Sequence, residues 1–539
     1  MKRIYNFISS KNAAVLFTII AILCRIINIL YASFVNRDKI FLAMQSKNFL
    51  GGKGLSVPQY FSADINNPVY NFTPNWPPGY PILLSPFLKI FNYDVYRATT
   101  TLEIIFCIAF IFLVRKIAFD LKLPMAPINI LTLIAGCFNY EFITQSLPTD
   151  SPSFVIFIFG LYLLLRTIQN ARFELTKLVV VALMLFLPCT FRYSYPPLSV
   201  AAFIAVIFAG VYLKKNMLIK KGLVSLAFFS FLLICFLALL KSTTGATGYI
   251  VETARGFFPE QLLEWAPIGP GAFIDTVFTT SQLIRLTGIS VGEALMLLEI
   301  INAIMIISVC FVLIDLFFRK KFFKSLDSFR WFILIGFFIS VATCVSLGYL
   351  SVTYRPQPGW GNYLGEPRYF SFVTFYLQVI FVGWVFLFPS WKRNFLKRLV
   401  VFVFSLLLFT EIMHNIYFNT KLVINFNKYK AANFEDPDYV YFSKMCTQLI
   451  RDNPDSEILV ISDGDEFFRL MASYLGQKGV YDGFNFIKSI PEVEKKTILI
   501  IALYDNEMID YRGFLSLQNA KLINKVNGVN FYRIDLLPE

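Results

Sequence analysis

Two carboxylates and three guanidiniums stand where a transfer reaction at a membrane surface can use them: Asp38, Asp150, Arg192, Arg355 and Arg368. Asp38 follows the first apolar run. Asp150 lies in Leu147-Pro148-Thr149-Asp150-Ser151-Pro152, just ahead of the fourth. Two acids at one polar–apolar boundary can divide the work. One takes a proton as general base while the other orients a partner or holds a metal or an acceptor. Asp-Ser-Pro is also a common helix start, so Asp150 can equally serve as a cap. Arg192 ends the fifth apolar run, and Arg355 and Arg368 lie in one late loop. A fixed guanidinium at a membrane surface suits a phosphate anchored to a lipid, although Arg-Tyr pairs also anchor helix ends. Trp76 and Tyr80, in Trp76-Pro77-Pro78-Gly79-Tyr80-Pro81, can stack on sugar rings or form an interfacial belt, and Lys47 can draw in an anionic headgroup or remain solvated.

The elements that must position these residues are built for lipid. Of 539 residues, 56% are hydrophobic and 16% charged, where a soluble domain has about 25% charged. Apolar runs fall at 12–35, 95–118, 126–145, 152–165, 178–191, 196–213, 223–240, 291–318, 331–350, 370–389 and 399–418. They predict a polytopic α-helical membrane protein with about eleven transmembrane helices. The first run is too long for the apolar core of a signal peptide and reads as an uncleaved span. The formal charge of +14 sits in short basic clusters between alternate runs, so it reports orientation and not nucleic-acid binding. Those clusters place the N-terminus in the cytoplasm. An odd span count then places the loops 36–94, 241–290 and 351–369 outside, together with the C-terminal end.

Arg25 stands near the middle of the first run, with Glu103 and Glu299 as candidate partners at similar depth. Seven of the eight cysteines fall in or beside apolar runs without any CxxC pair, and His414 is the single histidine. These residues read as core or interfacial groups, not as a disulfide framework or a metal site. Composition changes near 425, which divides the chain into a membrane part, 1–424, and a small extracytoplasmic α/β domain, 425–539. Strand-like runs at 457–462 and 497–503 alternate there with amphipathic stretches at 439–450, 466–475 and 508–517. Asn527-Gly528 signals a hairpin, and Ser462-Asp463-Gly464-Asp465 reads as a helix-capping turn. Residues 58–73 show no strong period, as expected of a segment that orders only on substrate.

The acid after the first span, the run from Ala43 through Lys47-Asn48-Phe49-Leu50-Gly51-Gly52-Lys53-Gly54-Leu55-Ser56, and Pro77-Pro78-Gly79-Tyr80-Pro81 together resemble the GT-C membrane glycosyltransferases. The branch most similar is the protein O-mannosyltransferase and aminoarabinose-transferase-like group, with the bacterial RgtA/B/C/D-like set. Thr149-Asp150-Ser151-Pro152, Arg192-Tyr193 and Arg368-Tyr369 also match, so the resemblance runs from the first span to about Arg398. It implies a GT-C-like fold in the bacterial inner membrane and an inverting transferase acting on the outer face. The donor would be a polyprenyl-phosphate sugar and the acceptor a glycan, a lipid or a protein. Asp38 matches the first-loop acid that acts as base, and Asp150 the second acid. Arg368, Arg192 and Arg355 would bind the donor phosphate. Asp38 is followed by Lys39, where the mannosyltransferase branch carries an acidic pair, which argues against protein mannosylation. The first loop has no DxD motif, so a divalent metal is left open as a cofactor. A transporter or flippase of lipid-linked glycans is the alternative. It predicts charges along the membrane midplane, and Arg25 is the main residue that fits it.

Overall fold

The computed structural model describes residues 2–32, 35–72, 76–137, 148–170, 172–244, 288, 290–318, 326–353, 367–388, 395–424, 437–462, 466–482, 495–505, 511, 515, 520–526 and 528–537. Arg355, Asp463 and Asp465 lie outside them, as does most of the expected loop 241–290. The helices are α1 (Lys2–Ile8), α2 (Lys11–Ala32), α3 (Arg37–Leu50), α4 (Gly79–Ile90), α5 (Val95–Asp120), α6 (Met125–Cys137), α7 (Asp150–Gln169) and α8 (Leu175–Phe186). They continue as α9 (Pro196–Tyr212), α10 (Asn216–Thr244), α11 (Val291–Phe317), α12 (Ser328–Thr353), α13 (Ser371–Leu387), α14 (Phe395–Ile424), α15 (Pro437–Asp452) and α16 (Glu466–Tyr474). The chain forms two compact units. The first holds Met1–Leu30, Glu103–Gln145 and Thr149–Ile424, and the second Tyr31–Leu102, Ser146–Pro148 and Asn425–Glu539.

The first unit is helical. Among the described residues, five helices are long and apolar enough to cross a membrane: Lys11–Leu30, Asp150–Gln169, Asn216–Thr243, Ser328–Leu350 and Phe395–Ile424. Five more apolar helices are shorter. Among the described residues, the eleven expected spans therefore do not all appear as long helices. Pro188 shows one reason. It lacks an N–H, and the fifth apolar run passes there from α8 into the 3-10 turn Leu187–Thr190. Small residues bring the helices close. A Cβ built on Gly160 of α7 would fall 2.8 Å from the Leu185 side chain on α8. Aromatic pairs then lock α7 to α13: the Phe154 and Phe375 rings lie 6.2 Å apart and those of Phe157 and Phe372 5.6 Å apart, both edge-to-face. Arg25 is buried, and its Nε and Nη2 donate to the Ala135 carbonyl on α6 at 3.1 and 2.7 Å. The Glu299 side chain lies outside the described residues.

The second unit is built on a seven-stranded sheet of order β2-β1-β4-β3-β5-β7-β6. Its strands are β1 (Val57–Phe61), β2 (Asp64–Asn71), β3 (Glu457–Ile461), β4 (Lys478–Val480), β5 (Thr497–Tyr504), β6 (Lys521–Val526) and β7 (Val529–Leu536). β3 and β5 pair in parallel, Leu459 opposite Leu499. β5 is buried along Thr497–Leu503, the continuous apolar run of a strand covered on both faces. The β6–β7 hairpin is antiparallel, and Gly528 adopts a positive φ of 80° in its turn. Within the stretch 58–73, expected to order only on substrate, β1 and β2 form an antiparallel hairpin with a bulge between Gln59 and Phe61. β1 then joins the sheet by pairing Tyr60 with Val480. The outer loop 36–94 was grouped with the spans by sequence, yet it packs with residues 425–539, because the strand that β1 needs lies there.

Candidate functional site

In the helical unit, Asp150 is the first residue of α7. Thr149, not Asp150, holds the cap position, and its side chain makes no capping bond. The Asp150 side chain turns instead to Arg192, whose Nη1 donates to Asp150 Oδ1 in a buried ion pair. The other carboxylate oxygen, Oδ2, is buried and meets no hydrogen-bond partner among the described residues. A buried carboxylate costs several kcal/mol unless it is paired, and Arg192 supplies that pairing. The backbone fixes Arg192: its N–H donates to the Pro188 carbonyl at 2.9 Å, at the 3-10 turn that Pro188 begins to tighten. The guanidinium also lies 5.1 Å from the ring centroid of Tyr369. Tyr369 belongs to a second 3-10 turn, Pro367–Phe370, which also contains Arg368 and leads into α13. The α7–α13 aromatic contacts thus hold that turn beside the Asp150–Arg192 pair.

In the sheet-containing unit, Asp38 sits in the first turn of α3. Asn36 caps that helix, its side chain accepting from the Lys39 N–H at 3.0 Å. A carboxylate in a first turn is favoured by the unpaired N–H groups of the helix end. The Arg37 Nε lies 3.9 Å from Asp38 Oδ1, and the Asp38 side chain keeps 19% of its surface exposed. Asp38 is therefore partly open to solvent, whereas Asp150 is not.

Of the three first-loop residues expected to touch substrate, Lys47 and Tyr80 are taken up by the protein's own packing. Lys47, in the last turn of α3, donates its ammonium to the Tyr474 carbonyl at 2.5 Å and lies 4.9 Å from the Tyr474 ring. Burial, and then the nearby Lys53 charge, pushes its pKa down. Lys47 therefore ties α3 to α16. Tyr80 is fully buried in α4, in the layer where Ser46 on α3 bonds the Pro81 carbonyl at 2.8 Å. Its ring is not offered at the surface for stacking. Trp76 is half-buried at the bend before Pro77. Sequence reasoning missed Gln45, which is fully buried on α3 with both side-chain polar atoms lacking partners among the described residues. The signal was there: a glutamine inside the buried stretch Leu42–Ser46.

No family model matches the sequence, and no curated protein matches it. Solved structures do. The chain is similar to ArnT from Cupriavidus metallidurans in the apo state, with 9% identity over 96% of this chain and 97% of that one, at a TM-score of 0.48. ArnT bound to undecaprenyl phosphate gives 9% identity over 97% and 98%, at 0.44. The oligosaccharyltransferase from Archaeoglobus fulgidus in its apo form gives 11% identity over 92% and 69%, at 0.49. Both proteins are GT-C members, and ArnT is an aminoarabinose transferase.

Among the described residues, no group of three or more His, Cys, Asp or Glu side chains is placed to hold a metal ion. Three stretches set apart in the sequence do meet within the helical unit: the turn opening α7, the end of the α8 turn, and the turn opening α13. Chemically, that cluster offers a buried carboxylate with one oxygen that meets no hydrogen-bond partner among the described residues, beside a buried guanidinium.

Proposed function

We propose that this chain is an inverting glycosyltransferase of the bacterial inner membrane. It moves a sugar from a polyprenyl-phosphate donor to a glycan, lipid or protein acceptor on the outer face. The observation that carries the reading is the meeting of Asp150, Arg192 and Tyr369, which were picked out separately as family-like stretches and lie far apart in sequence. An accidental surface pair would not need to be buried or to recruit an aromatic face.

In this mechanism Asp38 takes the proton of the acceptor hydroxyl or amine. The acceptor atom forms a bond to the anomeric carbon from the face opposite the phosphate. The bond between that carbon and the phosphate oxygen breaks, and the electron pair leaves with the lipid phosphate. A single displacement inverts the centre. Arg368 binds the departing phosphate, with Arg355 and the charge of Arg192 contributing. Asp150 holds Arg192 in place and presents its second oxygen to the donor sugar.

The test is transfer from a purified polyprenyl-phosphate sugar by the full chain in detergent or nanodiscs, with donor binding measured separately. Arg368→Ala should weaken donor binding and slow phosphate departure. Absence of any transfer across a panel of lipid-phosphate sugars, with donor bound normally, would leave a lipid-binding protein and sink the enzyme reading.

A further inference from the structure

The end of α7 opposite Asp150 carries a second feature. α7 has 20 residues, so it spans about 30 Å at the usual rise, the thickness of a bilayer core. At that far end the terminal parts of α5 and α7 and the start of α8 enclose a cleft of about 900 Å³, towards the upper end of the range for small-molecule sites. Lys122, Arg166 and Lys177 line it, with Asp120 as the one acid among its lining residues. The surrounding sequence from 115–122 and 166–177 carries Arg115, Lys116, Lys122, Arg166, Arg172 and Lys177 against Asp120 and Glu174.

Basic side chains at helix C-terminal ends often serve only the unpaired carbonyls there. In α7 that task falls to another residue. Lys221 is buried and donates to the Thr167 carbonyl at 2.9 Å and the Asn170 carbonyl at 2.5 Å. Arg166 keeps 59% of its side chain exposed while it contacts Tyr162 Oη at 3.0 Å and Asp120 Oδ2 at 3.5 Å. Lys177 keeps 55% exposed beside Glu174. Both retain N–H groups that can reach an anion in the cleft. The wall of the same cleft includes Phe119 and Val180, which are exposed large apolar side chains. A free inorganic anion has no use for that wall. A molecule with a phosphate head and acyl chains uses both parts.

We propose that this cleft is a binding site for an anionic glycerophospholipid of the bilayer, separate from the residues assigned to glycosyl transfer. The phosphate pairs with Arg166 and Lys177, Lys122 adds charge at the rim, and the chains leave along Phe119 and Val180. The experiment is native mass spectrometry of the full chain, titrated with phosphatidylglycerol and phosphatidylcholine. Wild type should bind phosphatidylglycerol at least tenfold more tightly than phosphatidylcholine. The Arg166→Ala/Lys177→Ala pair should lose that preference while phosphatidylcholine binding stays unchanged. Lys177→Ala alone alters an exposed side chain paired only with near neighbours, so it tests the site even if the double variant fails to fold; it should reduce the preference by about half on a logarithmic scale. Equal binding of the two lipids by wild type, or an unchanged preference in Lys177→Ala, would overturn the proposal. So would soluble glycerophosphoglycerol competing as strongly as the intact lipid, since the site would then be one for a free phosphate ester.

Discussion

The two acids sit in opposite surroundings. Asp150 is sunk in a helical unit, bound to a buried arginine that is itself covered by a tyrosine ring. Asp38 stands in the first turn of a capped helix, partly exposed, with an arginine 3.9 Å away on the neighbouring residue. A buried, paired carboxylate resists change and holds geometry. A half-exposed one can meet an incoming acceptor and exchange a proton. The same residue type is thus buried and paired in one unit and partly exposed in the other, which is the basis of the roles proposed for them.

The sharpest way to break this contrast is Asp38→Asn. It keeps the shape and removes the base, so turnover should fall by on the order of 10² to 10⁴ while donor binding survives. Wild-type turnover in this variant, with Asp150→Asn folded but inactive, would exchange the roles of the two acids. Next in size is Arg192→Met, which strands the Asp150 carboxylate and should cost about 3–5 kcal/mol in unfolding of the helical unit. The Asp150→Asn/Arg192→Met pair should recover at least half of that loss in a thermal melt; a simple sum of two losses would mean the ion pair is not the coupling.

A smaller effect tests how the first loop is fastened. The Asp482 carboxylate accepts from the Ser62 N–H at 2.7 Å and the Ser62 hydroxyl at 2.5 Å, fastening the β1–β2 hairpin. Asp482→Ala should cost about 1 kcal/mol locally, roughly fivefold faster proteolysis within the hairpin. Cleavage at the wild-type rate would show that the hairpin is held by β1–β4 pairing alone. The smallest effect concerns Asp505, whose carboxyl is held below its usual 3.8 by Lys525 and Asn530. The unfolded chain takes up that proton first as pH falls. The contribution is therefore complete above 3.8 and fades as pH drops through the lower native value. The difference in melting temperature between wild type and Asp505→Asn should accordingly shrink below about pH 4, and a constant difference would exclude the carboxylate.

What the sequence made legible follows from what is local. Asp150, Arg192 and Arg368 are visible because each stands at the end of an apolar run, and hydropathy marks such ends. Strands β3 and β5 are visible as short β-branched runs between turns. The hairpin at 57–71 was not, for a physical reason. All of β2 is at least partly exposed, so no two-residue alternation marks it, and Pro58 and Pro68 suggest a coil. Its order comes from a partner strand far along the chain. The surroundings of Lys47 and Tyr80 likewise depend on packing that the local sequence does not show. A lysine and a tyrosine in a polar loop look available for ligand until α16 engages the one and the packing of α4 buries the other.

The distance between β1 and its partner also sets a timetable. Ser62 and Asp482 are separated by 420 residues. At a synthesis rate of about 5–20 residues per second, the hairpin waits roughly 20 to 80 s before β4 leaves the ribosome. For that interval one edge of β1 is unsatisfied, and the helix bearing Asp38 lacks the lysine-to-carbonyl tie at Tyr474. A nascent chain stalled before residue 478 would therefore carry its spans and both acids yet have no finished first loop. The first loop that carries Asp38 is thus completed only once residues 478–480 have been made.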